Sequence, residues 1–257
     1  MEFTGERYIP SLRSAKISYE HWHRYIYAKG FAQNKIVLDA ACGEGYGTAY
    51  LSSFATHVTG IDLSEEAINH AQKKYLMSNL SFIKTPANDL PFKEETFDTI
   101  VSFETIEHLS KEEHDQFLKE ARRTLKPEGF LVISTPNKKV YSDKNNYRNP
   151  FHISEFYEEE FMAFLKKEFS HVHIFQQQVF CGSLIANSLN ESITQNTIKL
   201  TENGYSPVPL NLPFAESEYL IGICANTEFP LPDNGLLVDV DNQLYLASNS
   251  FISENNA

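Results

Sequence analysis

The sequence predicts an α/β fold built on a mostly parallel, Rossmann-like sheet. The first observation is the order strand, glycine turn, helix, strand within residues 37–62, VLDAACGEGYGTAYLSSFATHVTGID. The second is that short β-branched apolar runs alternate with helical patterns as far as residue 180, which is typical of βαβ units. The third is the length of 257 residues, which is enough to bury one substantial core.

Residues 37–62 contain the features that suit ligand binding. The first strand ends in Asp39, and the chain then turns through Gly43 and Gly45 into a helical pattern. Glycines let the backbone pass close to a ligand where a Cβ atom would clash. The second strand ends in Asp62, whose carboxylate can accept hydrogen bonds from both hydroxyls of a ribose. Acids close to the turn disfavour a pyrophosphate and suit a cationic group.

The run D-x-x-C-G-x-G followed by G-I-D resembles motif I of class I S-adenosylmethionine (SAM) methyltransferases. SAM carries a sulfonium and an ammonium group but no phosphate, which agrees with the acids around the turn. A generic nucleotide-binding or purely structural βαβ unit is the alternative. The resemblance implies a SAM site formed by Arg24, Asp39, Ala41, Gly43, Gly45, Asp62, Leu63, Ala87, Asp89 and Phe103.

The chain carries 22 lysines and arginines against 34 aspartates and glutamates, a formal net charge of −12. This charge argues against a long nucleic acid as a partner. The cysteines Cys42, Cys181 and Cys224 include no CxxC pair, so neither a zinc site nor a disulfide framework is expected. The sequence shows no signal peptide and no apolar run near the ~20 residues of a membrane helix. We therefore expect a soluble, cytoplasmic protein.

Residues 1–34 are predicted to form an extended arm followed by a lid helix. The helix has apolar positions at i, i+3 and i+7, and Ser18 is suited to cap its start. The segments FTGERYIP and YEHWHRYIYA are similar to the opening of methyltransferases found among glycan-biosynthesis enzymes. That resemblance implies a lid over the SAM site, with Arg24 at the methionyl carboxylate and Arg7 and His21 near the acceptor. The alternative is a helix whose polar face simply meets solvent.

The segment TPANDLPF, after the third predicted strand, resembles the part of the family that usually meets the adenine. Here Pro86 replaces the residue whose side chain often binds the adenine amino group. Adenine recognition is therefore left to the Ala87 backbone amide or to Asp89, and the sequence does not choose between them.

The remaining pattern predicts that the methyltransferase domain extends over residues 35–226. Further strands are expected at residues 80–83, 97–103, 130–134 and 171–180, and helices at 64–75, 111–124 and 155–167. Residues 135–153 form a long polar and aromatic connection, of the kind that carries substrate recognition. By resemblance, residues 218–225 form the antiparallel seventh strand that closes this fold.

Two segments after the sixth predicted strand have weaker patterns. Residues 181–216 are rich in Asn, Ser and Pro, which predicts an irregular insertion. Residues 236–246 predict a hairpin that turns near Asp241 and Asn242, within a C-terminal extension over residues 227–257. The polar end of this extension raises the expectation that the chain leads into further domains of a longer protein.

Acids and histidines follow the fourth predicted strand, at the edge where open parallel sheets bind ligands. Glu104, Glu107 and His108 have the i, i+3, i+4 spacing that places side chains on one helical face. His152 ends the long connection after the fifth strand, which neighbours the fourth in the fold of that family. These four residues predict a divalent metal site, with His108 and Glu104 as catalytic residues. The alternatives are an ordinary helix N-terminus, whose dipole favours acids, and a metal-free enzyme with His108 as general base.

Three functions remain open from the sequence. The leading one is a SAM-dependent O-methyltransferase acting on a hydroxyl of a sugar or glycan, with magnesium or manganese lowering the pKa of that hydroxyl. The second is an RNA 2′-hydroxyl methyltransferase, because E-T-I-E-H with a later histidine also resembles metal-dependent enzymes of that kind. The acidic net charge counts against it. The third is a non-catalytic SAM-binding domain that regulates a larger enzyme.

Overall fold

The computed structural model describes residues 15–180, 182–187, 195–201, 204–210 and 217–237. The described helices are α1 (Ala15–Ala32), α2 (Tyr46–Ser52), α3 (Glu65–Lys74), α4 (Lys111–Thr124) and α5 (Glu158–Leu165). The described strands are β1 (Ile36–Ala40), β2 (His57–Asp62), β3 (Leu80–Lys84), β4 (Phe97–Phe103), β5 (Leu125–Pro136), β6 (His171–Phe180), β7 (Gly182–Asn187), β8 (Gln195–Thr201), β9 (Gly204–Leu210), β10 (Tyr219–Ala225) and β11 (Gly235–Leu237). None of these helices is long and apolar enough to cross a membrane.

Nine of the described strands form one sheet, in the order β11-β7-β6-β10-β5-β4-β1-β2-β3. Strands β1 to β5 are parallel to one another, and α2, α3 and α4 lie in their connections. Strand β10 is antiparallel to both of its neighbours, β5 and β6. The predicted seven-stranded, mostly parallel sheet with an antiparallel last strand is thus confirmed. Strands β7 and β11 extend it beyond β6 in antiparallel pairs.

The register of β1 brings the glycine-turn motif next to the acidic segment that follows β4. Asp39 pairs with Gly60 of β2 on one side and with Val101 of β4 on the other. The strands are parallel, so their carboxyl ends meet at one edge, where Asp62 ends β2 and Phe103 ends β4. A ligand at this edge contacts residues that follow several strands.

Apolar side chains pack on both faces of the sheet, because successive residues of a buried strand point to opposite sides. Leu38 packs in the cluster that includes side chains of α4 and α5. Val37 packs in the cluster that includes Tyr25 and Ala28 of α1 and Leu51 of α2. Helix α1 is therefore part of the hydrophobic core, in addition to its position near the turn.

Serine side chains cap the starts of α3 and α4. The Ser64 hydroxyl accepts a hydrogen bond from Ala67 N at 3.2 Å, as its place before α3 indicated. Ser110 and Glu113 form a capping box at the start of α4. Ser18, which was expected to begin the first helix, lies inside α1, so this boundary was wrong.

The prediction of an irregular insertion over residues 181–216 is wrong for the part of it that the structure describes. Strand β7 pairs with β6, while β8 and β9 form a separate two-stranded antiparallel sheet. The two prolines of β9 are compatible with this arrangement because an edge strand does not need every amide as a donor. Strand β11 pairs with β7, whereas the hairpin turn expected near Asp241 and Asn242 lies outside the described residues.

Candidate active site

The glycine turn between β1 and α2 has a left-handed backbone at three positions. Ala41, Gly43 and Gly45 have φ angles of 63°, 55° and 79°. A Cβ atom at Gly45 would lie 2.6 Å from the ring of Phe82, so β3 packs directly against the turn. The turn therefore exposes backbone where a larger residue would not fit, as its two glycines indicated.

Asp62 fixes this turn from the end of β2. Its Oδ2 atom accepts a hydrogen bond from Gly43 N at 3.0 Å, and Oδ1 accepts one from Ser64 N at 2.8 Å. The side chain is half-buried at the carboxyl edge of the sheet. This is the position at which an acid meets a ribose in Rossmann-like folds.

Asp39 lies deeper, near the end of β1, and is fully buried. The Thr48 hydroxyl donates to its Oδ2 atom at 2.6 Å, and the Tyr25 hydroxyl lies 3.2 Å from both carboxylate oxygens. Burial raises the pKa of Asp39 to about 7, although the hydrogen bonds from Thr48 and Tyr25 lower it. Asp39 therefore links α1 and α2 to the first strand of the motif.

Helix α1 packs across the glycine turn. The Tyr25 ring is so close to Gly47 that a Cβ atom there would lie 2.0 Å from it. The Trp22 ring meets the Tyr46 ring edge-on, with 5.3 Å between centroids, and the Tyr46 hydroxyl lies 2.9 Å from His21 Nδ1. Burial lowers the pKa of His21 well below its ordinary value. The helix predicted to be a lid is thus placed against the predicted cofactor motif.

Arg24 of α1 is buried, with 1% of its surface exposed. Its Nε atom donates to Gln177 Oε1 at 2.8 Å, and its Nη1 atom lies 3.3 Å from Glu104 Oε1. The guanidinium carbon stands 4.4 Å from the centroid of the Tyr219 ring. Neither Nη1 nor Nη2 has a hydrogen-bond partner in the described part of the chain. Two unsatisfied donors on one planar group match the geometry of a carboxylate.

Glu20 lies one helical turn before Arg24 and is also buried. Its Oε2 atom accepts a hydrogen bond from the Tyr219 hydroxyl at 3.0 Å, while Oε1 has no hydrogen-bond partner among the described residues. Burial raises the pKa of Glu20 to about 7, and the charges of Arg24 and Lys16 oppose this rise. The buried end of α1 therefore contains a carboxyl group that titrates near neutral pH.

Glu104, Glu107 and His108 do not share a helical face, contrary to the sequence prediction. The helical turn is a short 3-10 segment, Ile106–His108, and Glu104 precedes it with a φ of 51°. The i, i+3, i+4 rule holds only within a continuous helix. The Ser134 hydroxyl donates to Glu104 Oε1 at 2.6 Å. With this bond and its contact with Arg24, Glu104 is directed away from the other predicted ligands.

Glu107, His108 and His152 do form a group, and their ligand atoms lie within 4.8 Å of one another. Glu107 is fully buried; its Oε2 atom accepts a hydrogen bond from the Thr135 hydroxyl at 3.2 Å, and Oε1 has no hydrogen-bond partner within the described chain. Burial raises the pKa of Glu107 well above its ordinary value, and the charge of Glu104 adds to the rise. A bound cation would satisfy such a carboxylate.

Oxygen acceptors orient both histidines of this group. His108 Nδ1 lies 3.1 Å from the Phe151 carbonyl oxygen, and His152 Nδ1 lies 2.6 Å from Glu155 Oε1. With a proton on Nδ1, each ring has Nε2 as its basic nitrogen. The Nε2 atom of His152 lies 3.0 Å from Asn149 Nδ2. Carboxylates commonly orient metal-binding histidines in this way. The sequence analysis missed Glu155, although its i, i+3 spacing from His152 was a usable signal.

A groove of about 1140 Å³ opens beside His152, between α4, α5 and the connection that follows β5. The long connection predicted to carry substrate recognition forms one of its walls. The charged residues of the walls are Lys111, Asp115, Lys138, Asp143, Arg148, Glu155, Glu160 and Lys167. Because His152 also lines the groove, the group of Glu107, His108 and His152 is adjacent to this polar space.

The other predicted site residues have varied positions. Leu63 is 65% exposed after β2, whereas Phe103 is buried at the end of β4. Ala87 is half-buried and Asp89 is exposed in the connection after β3, and their contact with an adenine stays a prediction. Arg7 lies outside the described residues.

Comparisons with known proteins agree with the motif. Residues 38–133 match the methyltransferase domain family Methyltransf_11. A Mycobacterium tuberculosis H37Rv protein named "probable S-adenosylmethionine-dependent methyltransferase" is 31% identical over 168 residues, which cover 64% of this chain and 60% of the relative. A fatty-acid O-methyltransferase of Mycolicibacterium smegmatis is 35% identical over 110 residues, covering 42% of this chain and 39% of that protein. The chain thus spans less than two thirds of the length of these curated relatives.

Among solved structures, a SAM-dependent methyltransferase from Thermotoga maritima has a TM-score of 0.58 and 18% identity, covering 82% of this chain and 90% of that chain. At this identity the likeness concerns the fold alone. Residues 38–133 of this chain thus match a methyltransferase domain, and the strand order is that of the Rossmann-like methyltransferase fold.

Proposed function

We propose that this protein transfers the methyl group of SAM to a hydroxyl oxygen of a sugar or glycan, with a divalent metal held by Glu107, His108 and His152. The observation that carries the proposal is the buried Glu107 Oε1 atom, which has no hydrogen-bond partner among the described residues and lies beside two oriented histidines. This group follows β4 at the carboxyl edge of the sheet, where the SAM motif also ends. The arrangement supports chemistry on an oxygen nucleophile next to the methyl donor.

The chain offers matching partners for two parts of SAM. We assign the Asp62 carboxylate to the ribose hydroxyls, since an acid at the end of the second strand has this role in Rossmann-like folds. We assign Arg24 to the methionyl carboxylate, because neither Nη atom has a hydrogen-bond partner among the described residues and Nη1 makes only the 3.3 Å ion contact with Glu104 Oε1. Asp62 is bonded to the glycine turn from β2, whereas Arg24 of α1 lies beside Glu104, the residue that follows β4.

The proposed metal ligands are one carboxylate oxygen and two imidazole nitrogens. An octahedral metal ion bound by these three atoms would have coordination positions free for the two oxygens of a vicinal diol of the acceptor. Mixed nitrogen and oxygen ligands favour manganese, cobalt or iron, whereas magnesium prefers oxygen ligands. When bound, the metal would lower the pKa of the acceptor hydroxyl. Glu104 as a fourth ligand stays a prediction, because its carboxylate would have to leave Ser134 and Arg24.

The reaction is an in-line displacement at the methyl carbon. The acceptor oxygen forms a bond to that carbon while the carbon–sulfur bond breaks, so that the sulfonium becomes a neutral thioether. The hydroxyl proton must leave as the oxygen attacks. With His108 as a metal ligand this proton would pass to solvent, whereas in the metal-free alternative His108 is the base that accepts it. The bond between its Nδ1 and the Phe151 carbonyl favours the tautomer in which Nε2 accepts that proton.

The groove beside His152 favours a sugar over an acyl chain as the acceptor. Charged side chains from α4, α5 and the connection after β5 line it, whereas an acyl chain requires a mostly apolar lining. A fatty acid, the class named for one relative, is therefore the alternative acceptor. The polar walls are the reason for ranking it second.

The test is methyl transfer from labelled SAM to a panel of sugars, glycan oligomers and fatty acids, with products identified by mass spectrometry. We expect methylated sugar, loss of activity in EDTA and recovery with manganese. His152→Ala should lose turnover while keeping its affinity for SAM, and His70→Ala, outside the group, should remain active. Full activity in EDTA would instead show that the reaction needs no metal and that His108 acts as the general base.

Cofactor binding is tested separately, by calorimetry with S-adenosylhomocysteine. Asp62→Ala should weaken binding by about tenfold or more, since hydrogen bonds to a charged group contribute roughly 1.5–3 kcal/mol each. Unchanged affinity in this variant would show that the cofactor lies elsewhere, whatever the outcome of the acceptor panel.

A further inference from the structure

We propose that the Glu20 carboxylate binds the α-ammonium group of SAM, next to the methionyl carboxylate assigned to Arg24. This inference rests on the proposed function and deepens its cofactor site. It is carried by two buried groups of opposite charge on one face of α1. Each group has polar atoms without a hydrogen-bond partner in the described part of the chain.

Glu20 and Arg24 lie one helical turn apart on α1, so their side chains leave the same face of the helix. Two paired residues of β10 and β6, Tyr219 and Gln177, hold them there. The Tyr219 hydroxyl donates to Glu20 Oε2 at 3.0 Å, and its ring centroid lies 4.4 Å from the Arg24 guanidinium carbon. Gln177 Oε1 accepts a hydrogen bond from Arg24 Nε at 2.8 Å, while Gln177 Nε2 donates to the Glu20 carbonyl oxygen at 3.1 Å. The two charged groups are therefore fixed side by side.

The atoms of this pair that lack hydrogen bonds are Glu20 Oε1 and both Nη atoms of Arg24. The two residues are only 3% and 1% exposed. Lys16 Nζ lies 3.9 Å from Glu20 Oε1, beyond hydrogen-bond distance, and donates instead to Glu218 Oε1 at 2.8 Å. A buried carboxylate oxygen without a donor is costly. A ligand that supplies donors at Glu20 and acceptors at Arg24 would remove this cost.

The charges around the pair favour a cation at Glu20. Arg24 Nη1 lies 3.3 Å from Glu104 Oε1, and Lys16 pairs with Glu218, so these four charges balance. An ionised Glu20 is then one negative charge in excess, which an ammonium group would offset. SAM carries its ammonium on the carbon next to its carboxylate. This arrangement matches a glutamate and an arginine one helical turn apart.

The pair also lies close to the predicted cofactor motif. Arg24 contacts Glu104, the residue that follows β4 at the carboxyl edge of the sheet. His21, next to Glu20 in α1, has its Nδ1 atom 2.9 Å from the hydroxyl of Tyr46, where α2 begins after the glycine turn. A methionyl group between the glycine turn and the end of β4 would therefore lie near this part of α1.

The experiment measures binding without turnover, by calorimetry on the full chain at pH 8, where Glu20, with a pKa of about 7, is mostly ionised. S-adenosylhomocysteine and its decarboxylated form both carry the ammonium group. The deaminated form carries only the carboxylate, and 5′-methylthioadenosine carries neither group. Wild type is compared with Glu20→Gln, which keeps the shape of the side chain and removes its charge. Exposed Glu128→Gln is the matched control, and thermal unfolding verifies that each variant is folded.

We expect Glu20→Gln to bind the two ammonium probes about tenfold or more weakly, because a charge-assisted hydrogen bond is lost. Its affinity for the deaminated form and for 5′-methylthioadenosine should change much less, and Glu128→Gln should match wild type with all four probes. If Glu20→Gln does not fold, Glu20→Asp, whose carboxylate is one methylene further back, should show the same selective loss.

Unchanged affinity for the ammonium probes, or an equal loss for all four probes, would overturn the inference. Failure of the proposed function is distinguishable from this result. If no probe binds to wild type, the SAM site itself is misplaced, whereas a failed acceptor panel leaves the comparison of the four probes intact.

Discussion

The Tyr25 ring and Gly47 are in such close contact that a Cβ atom at Gly47 would lie 2.0 Å from the ring. Helices α1 and α2 meet at this point. The hydroxyl of the same tyrosine lies 3.2 Å from both carboxylate oxygens of Asp39. One side chain therefore sets the position of α1 relative to the glycine turn and also contacts a buried acid of the motif.

Gly47→Ala should displace the Tyr25 ring and lower both stability and cofactor affinity. Overpacking of this kind costs about 1–3 kcal/mol. Gly30→Ala is the matched control, because Gly30 lies in α1 and a Cβ atom there meets nothing within 4 Å. Urea unfolding and calorimetry with S-adenosylhomocysteine measure the two effects. If both alanine variants behave alike, the contact does not position the helix.

Arg24→Lys should weaken the binding of S-adenosylhomocysteine by about tenfold or more, because an ammonium cannot replace two parallel guanidinium donors on a carboxylate. Binding of 5′-methylthioadenosine, which lacks that carboxylate, should change much less. Calorimetry on both ligands separates a lost carboxylate contact from general damage to the site. An equal loss for both ligands would contradict the assignment of Arg24.

Glu155→Gln should weaken manganese binding by about 10–100-fold, the usual effect of removing a carboxylate that orients a metal-binding histidine. Glu155 acts through His152, so we regard it as a positioning residue. Electron paramagnetic resonance of bound manganese measures the affinity without turnover. Glu159→Gln, an exposed change at the start of α5, serves as the control. Manganese binding that is the same in all three proteins would remove the role assigned to Glu155.

Glu20 should make the protein less stable as the pH rises. Its pKa is about 7 in the folded protein against an ordinary value of 4.5, so the folded state binds more protons than the unfolded state between these values. Stability is therefore expected to fall through this window, by up to about 3 kcal/mol. Glu20→Gln should reduce that slope.

The measurement is the free energy of urea unfolding at several pH values from 5 to 8. Exposed Glu128 provides the control substitution, Glu128→Gln, which should keep the wild-type slope. A Glu20→Gln variant whose stability follows the same pH dependence as wild type would show that another group, such as Asp39, accounts for it.

The sequence was sufficient for the parts of the fold that depend on local chemistry. The parallel strands were recognisable because each is a short buried run. The glycine turn was recognisable because Gly43 and Gly45 occupy backbone conformations that other residues avoid. The starts of α3 and α4 were predicted at residues 64 and 111, and in the structure Ser64 and Ser110 cap these helices.

The site was predicted less well where long-range contacts decide the side-chain directions. Spacing alone placed Glu104 with Glu107, but Ser134 of β5 and Arg24 of α1 hold Glu104 elsewhere. Ser134 lies 30 residues and Arg24 80 residues from Glu104 along the chain, so no local periodicity could reveal these contacts. Strands β7 to β9 were missed for a related reason, since pairing with another strand outweighed local Asn, Ser and Pro content.

The bonds that orient the two histidines also join the connection after β5 to the helical turn after β4. Phe151 O lies against His108, and the amides of Ile153 and Ser154 both donate to the Glu107 carbonyl, at 2.8 and 3.0 Å. Residues 149–155 must therefore be inherited as one unit with Tyr141 and Ser142, whose side chains contact His152 and Glu155, whereas residues 145–148 can diverge without disturbing it. Related proteins could thus exchange acceptors while the chemistry is retained, and a designer could graft the 145–148 segment alone to redirect this scaffold to a new sugar.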